Sequence, residues 1–98
     1  MTEAEFTALY MAQRDNVTRF SVAILVRNRV PNAEVEAESI CADVFVVALQ
    51  MAHDGRDVKK SYLLDLSKSR SLNLIRSLDR ERKFISRLSA MACGGFGD

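Results

Sequence analysis

The sequence predicts an all-α protein, a compact bundle of three to five helices. Three observations carry that expectation: apolar residues recur at helical spacing over most of the chain, no segment alternates convincingly like a strand, and the breaks between periodic segments coincide with proline or glycine. The 98 residues, 48% of them hydrophobic, suit one small domain. Residues 1–90 read as that domain and 91–98, "MACGGFGD", as a linker or disordered tail.

The first helix is expected to begin at Glu3. Thr2-x-x-Glu5 has the form of a capping box, in which a hydroxyl and a carboxylate satisfy backbone N–H groups that a first helical turn leaves free. Phe6, Leu9, Tyr10 and Gln13 carry one face. Asp15 or Asn16 could cap a second helix or mark a bend, after which Val17, Phe20, Ala23, Ile24 and Leu25 continue the periodicity. Phe6, Tyr10, Phe20 and Phe45 read as core.

Pro31, the single proline, makes residues 28–33 a break, because its ring fixes φ and restricts the residue before it. Asn32 is placed to cap the next helix, which should reach about Ala52 with Glu34 and Glu36 at the positive end of its dipole. Cys41 within it reads as a small buried apolar group. The outer side of this helix is unusual, since it combines Glu38 and Asp43 with Val46 and Val47, both expected to be exposed. "HDGRD", residues 53–57, reads as a loop around Gly55.

From about Val58 to Met91 the pattern is one long amphipathic helix, or two joined by a small kink. Leu63, Leu64, Leu66, Leu74, Ile75, Leu78, Phe84, Ile85 and Leu88 fall on a broad apolar arc expected to face the core. Arg76, Arg80, Lys83 and Arg87 lie within about 60° of one another on the other side.

The net charge of +1 hides an asymmetry. Residues 1–55 hold four arginines against eight acidic residues, a net of −4, whereas residues 56–87 hold ten basic residues against four acidic ones, a net of +6. One half suits a basic protein surface and the other a polyanion. Two cysteines at unrelated positions make no disulfide framework, so a reducing cytoplasm is the simplest expectation. No leader pattern and no apolar run of about 18 residues is present, so neither secretion nor membrane insertion is expected. His53 is the single histidine, and it has no patterned nucleophile or metal-ligand spacing beside it. No enzyme activity, metal or cofactor is expected.

Three segments, in order, resemble region two of the extracytoplasmic-function (ECF) sigma factors of bacterial RNA polymerase. "AESICADVFVVAL", Ala37 to Leu49, is similar to that family's Ala-Glu-Asp-Leu-x-Gln-Glu-x-Phe-x-x-Ala-Leu helix. "FTALYMAQRDNVTRFSVAIL", from Phe6, is similar to its Phe-x-x-Leu-Tyr and Val-x-Arg-Phe-Ala helices. "SYLLDLSKSRSLNLIRSLDRERK", from Ser61, is similar to its Trp-Leu-x-x-Ile-Ala-x-Asn-x-x-x-Asp-x-x-Arg segment, with Tyr62 at the tryptophan and Arg76 at the arginine. The resemblance spans about residues 6–83. Ser39, Ala42 and Asp43 depart from the family's Asp, Gln and Glu, and Ser69 and Asn73 from its Asn and Asp. The family's second domain, a helix-turn-helix that reads the minus-thirty-five element, has no counterpart in the segments matched.

The resemblance implies a transcription initiation factor domain that binds core RNA polymerase at the β′ clamp coiled coil and recognises and helps melt the promoter minus-ten element. Glu38, Ser39, Asp43, Val46 and Gln50 would face polymerase. Arg76, Arg80, Lys83 and Arg87 would contact the phosphates of the non-template strand, with Arg56, Lys59, Lys60, Lys68 and Arg70 flanking them and Tyr62 in a stacking position. His53, Asp54, Arg56 and Asp57 would form a base-capture loop. An anti-sigma factor is a further possible partner. The alternative expectation is a small helical protein-interaction module, a sigma-like regulator or decoy that binds polymerase or an anti-sigma factor without productive DNA binding.

Overall fold

The computed structural model describes residues 1–96. It is all-α, with three helices, the low end of the expected range: α1 (Glu3–Arg27), α2 (Ala33–His53) and α3 (Lys60–Phe96). The links are short and every helix contacts both others. The start of α1 lies beside the end of α2, where Met1 and Phe6 share a shallow groove with Leu49 and His53, so these two helices are antiparallel.

The capping box at α1 forms as the sequence implied. The Glu5 N–H donates to Thr2 Oγ1 at 3.1 Å, and the Thr2 N–H donates to Glu5 Oε1 at 3.2 Å. No second helix begins at Asp15 or Asn16. The apolar spacing runs through this stretch unbroken, and Asn16 Nδ2 donates to Gln13 Oε1 instead of capping anything. A polar residue that could cap does not interrupt a helix whose buried face continues past it.

α1 stops by a Schellman arrangement. The Val30 N–H donates to the Leu25 carbonyl and the Arg29 N–H to the Val26 carbonyl, with Arg29 at φ +56°. Arginine accepts this left-handed position because Val30, next to it, is buried in the core and holds the turn. α2 ends the same way, with Arg56 N–H donating to Met51 and Gly55 N–H to Ala52, and here glycine occupies the left-handed residue at φ +80°. Asn32 occupies the N-cap of α2 as expected. Its side chain makes no capping bond, because its own backbone is left-handed at φ +56°; it contributes its carbonyl, which accepts from the Glu36 N–H.

The core lies where the three helices meet. Leu25, Val44 and Leu63 are fully buried, with Val17, Ile40, Phe45, Ala48 and Val58 around them. Of the residues read as core aromatics, Phe45 is buried and Phe6 and Phe20 are half-buried, but Tyr10 is exposed, so the expectation that it is core does not hold. Phe6 and Tyr10 meet Phe45 edge to face, at centroid distances of 6.5 and 4.9 Å. Cys41 is buried as expected, its Sγ 3.5 Å from the Arg14 carbonyl.

Three serines sit inside this core. Ser21, Ser67 and Ser71 are fully buried. Ser21 Oγ bonds Ser67 Oγ across the α1–α3 contact, and Ser71 Oγ donates to the Ser67 carbonyl at 2.8 Å. Small hydroxyls let the two helices approach closely while leaving no buried side-chain polar atom unpaired among the described residues.

α3 is a single helix, which settles the choice between one helix and two. Its helical backbone passes Met91 and continues to Phe96, so the tail expected over 91–98 is helical as far as it is described; residues 97–98 lie outside the described residues. Only its first part packs. Leu63 is buried, and Leu64, Leu66, Leu74, Ile75 and Leu78 are half-buried against the core, but every residue from Asp79 to Ala92 is exposed. The expectation that Phe84, Ile85 and Leu88 face the core is therefore wrong. α3 is about 55 Å long and α1 and α2 only about 38 and 32 Å, so the bundle ends before the arm begins. The radius of gyration, 18.4 Å, exceeds the ~13 Å of a compact chain of this length, and the longest dimension is 68 Å.

Two outcomes follow from this packing. Leu63→Ala leaves a cavity at the helix junction and should lower the unfolding free energy by about 2–5 kcal/mol, read by urea denaturation. The Glu5 carboxyl is held below its ordinary pKa by hydrogen bonding from the Thr2 side chain and then the Thr2 backbone. Its contribution to α1 is therefore complete above the ordinary carboxylate range and lost as pH falls through the lowered value. Thr2→Ala removes the larger of the two causes and should reduce that acid dependence in the helical signal of circular dichroism.

Candidate interaction surfaces

Two surfaces of opposite charge emerge on different helices. On α2, Ile40, Cys41, Val44, Phe45 and Ala48 turn inward, which leaves Glu38, Ser39, Asp43, Val46 and Gln50 exposed together on the outer side. Val46 is 55% exposed. Val47 is half-buried and does not belong to this face, because one residue further along a helix is a rotation of about 100° toward the bundle. Val35 and Leu49 do belong to it and were missed by sequence reading. Their signal is present in the sequence: Val35, Ala42, Val46 and Leu49 make a second apolar line at helical spacing, masked by the stronger inward one.

α2 carries Glu34, Glu36, Glu38 and Asp43 and no lysine or arginine, a net of −4. This accounts for most of the acidity of the first half of the chain.

On α3, Arg76, Arg80, Lys83 and Arg87 are all exposed along one face. Among the described residues the ion pairs are those of the Met1 amine with Asp57, at 3.7 Å, and of Arg14 with Asp15, at 3.8 Å. Neither involves the stripe, so its charge is available to a partner. Lys59, Lys60, Lys68 and Arg70 are exposed too, but they do not extend the line; Lys68 and Arg70 lie on opposite sides of it. Arg82 is also exposed, away from the stripe.

Tyr62 is half-buried against the core, which leaves only part of its ring accessible. His53, Asp54, Arg56 and Asp57 are exposed around the end of α2. Backbone bonds from Asp54, Gly55 and Arg56 close the turn, and the Asp57 carboxylate lies 3.7 Å from the Met1 amine at the start of α1.

The arm beyond Leu78 is the surface that sequence reading assigned wrongly. Phe84, Ile85, Leu88 and Met91 are between 50% and 71% exposed. The spacing of Phe84, Ile85 and Leu88 continues the core-facing line of the same helix; the missing information was the length of the partner helices.

No group of three His, Cys, Asp or Glu residues is placed to hold a metal ion among the described residues, and no helix is long and apolar enough to cross a membrane. Comparison of the chain with protein-family models, curated proteins and solved structures finds no match.

Because Asp43 lies on the exposed side of α2, it is replaceable without loss of fold. Asp43→Arg should change the unfolding free energy by less than about 0.5 kcal/mol in urea denaturation, which makes it a clean probe of binding.

Proposed function

We propose that the chain is a sigma region-two-like module that docks on core RNA polymerase through the outer face of α2 and holds the non-template strand of a melted minus-ten element along the basic face of α3. The observation that carries this reading is the placement of two exposed surfaces of opposite charge on separate helices, in the chain order of the ECF sigma segments that the sequence resembles.

On this reading Glu38, Ser39, Asp43, Val46 and Gln50 meet the β′ clamp, joined by Leu49 beside Val46. A helix face with an apolar centre and carboxylates beside it suits docking against a basic helical partner. Arg76, Arg80, Lys83 and Arg87 neutralise phosphates and release counterions, which gives affinity with little sequence preference. Discrimination then falls to the loop of His53, Asp54, Arg56 and Asp57, where an unstacked base could be held, and to the accessible edge of Tyr62. The module binds and orients, performs no chemistry, needs no cofactor, and works in the bacterial cytoplasm.

A second reading is a protein-interaction module, a sigma-like regulator or decoy that binds polymerase or an anti-sigma factor without productive DNA binding. The apolar residues of the α3 arm favour it, since nucleic-acid phosphates give Phe84, Ile85, Leu88 and Met91 nothing to pack against.

Purified chain is expected to bind core RNA polymerase, and Asp43→Arg to weaken that binding by at least about tenfold. Labelled non-template minus-ten DNA added next should be captured only by the complex. Arg76→Ala combined with Arg80→Ala should reduce the slope of log affinity against log salt by roughly 1.4 while leaving polymerase binding intact. Wild-type chain that ignores polymerase would refute the first reading; polymerase binding without DNA capture would select the second.

A further inference from the structure

The arm of α3 and the body of the bundle carry matching surfaces. Between the second half of α1 and the start of α2 runs an open groove with Val22, Ala23 and Val26 along its floor. Glu34 and Glu38 stand on its α2 side and Arg19 on its α1 side. The arm presents Phe84, Leu88 and Met91 at i, i+4 and i+7, the spacing by which an amphipathic helix fills an apolar groove. Arg80 and Arg87 flank these residues on one edge and Glu81 on the other, placed by the helical rotation of about 100° per residue. The basic edge thus matches the glutamate rim while the acidic edge matches Arg19.

Lengths agree as well. Phe84 to Met91 spans about 10 Å of helix axis, and Thr18 to Val26 along the groove spans about 12 Å.

We infer that the occupant of this groove is the α3 arm of a second copy of the chain, two copies exchanging arms about a twofold axis. The arm cannot fill its own groove, because it leaves the bundle as the continuation of an unbroken helix and every residue from Asp79 to Ala92 is exposed. Charge selects arm against groove over arm against arm. From Arg76 to Met91 the arm carries five basic and two acidic residues, a net of +3, and α2 carries −4. Two arms side by side would repel, whereas arm and α2 attract. Exchange also closes the assembly, since both copies use both surfaces and neither is left to recruit a third.

The inference does not depend on the polymerase reading, although the two share Glu38. A chain engaged in exchange has Glu38 covered, so self-association would withdraw the α2 face from any other partner.

Sedimentation equilibrium of the full chain tests it. The expected result is a dimer at low salt that weakens as salt rises. Leu88→Asp, at an exposed position, should raise the dissociation constant by at least about tenfold with unchanged circular dichroism, and so should Glu34→Lys combined with Glu38→Lys. Adding Arg80→Glu and Arg87→Glu to the latter variant should restore the dimer. A wild-type chain that stays monomeric to its solubility limit overturns the inference. So does a dimer that is lost in Leu88→Asp but indifferent to the glutamate substitutions, which would place arm against arm. Polymerase binding is read separately, so failure of either idea leaves the other standing.

Discussion

Everything in this molecule follows from fitting a helix of 37 residues against partners of 25 and 21. A helix gains most of its stability by burying one face, and that gain ends where its neighbours end. α3 has used its neighbours by Leu78. Up to that point it behaves as a core element, with Leu63 fully buried and serines in place of bulkier residues where it meets α1. Beyond it, the same helical line carries Phe84, Ile85 and Leu88 into solvent. Local propensity favours continuation, because Arg, Lys, Glu, Leu and Met all suit a helix. A projecting arm is the outcome.

Much of this was legible in the sequence, and the limits have identifiable causes. The capping box at Thr2 and Glu5, the break at Pro31 and the turn at Gly55 are local signals, each fixed by the chemistry of a few neighbouring residues. They read correctly. Asn32 was placed correctly but its contribution was not, because a left-handed φ is a property of the turn and not of the residue type alone. Asp15 and Asn16 misled because a possible cap was given weight over continuous apolar spacing. The arm misled for the opposite reason: spacing gives the direction a side chain faces and says nothing of whether another helix is there to meet it. The buried serines left no apolar trace to follow. Their role depends on α1 and α3 coming together, a relation between residues 46 positions apart.

The candidate surfaces divide along the same lines. Glu38, Ser39, Asp43, Val46 and Gln50 were identified on one face, and they share one. The basic stripe was likewise a local pattern, and its members are exposed and unpaired by the ion pairs found. Residues chosen by type and neighbourhood instead of by face, such as Lys68 and Arg70, scatter around the helix. Charge sign is a sequence property, but a surface is a statement about rotation.

The arrangement of charge on the arm limits what can be bound together. Arg80 and Arg87 lie between the stripe shared with Arg76 and Lys83 and the apolar line of Phe84, Leu88 and Met91. A phosphate strand along the stripe and a protein surface over the apolar line would both need those two guanidinium groups. Two such proposed partners would therefore compete, with a coupling set by how much each gains from Arg80 and Arg87. Salt weakens the strand more than the apolar contact, because counterion release dominates the first and buried area the second. On the proposed reading, rising ionic strength would thus shift the arm from nucleic acid toward protein, a bias that follows from placing both surfaces on one unsupported helix.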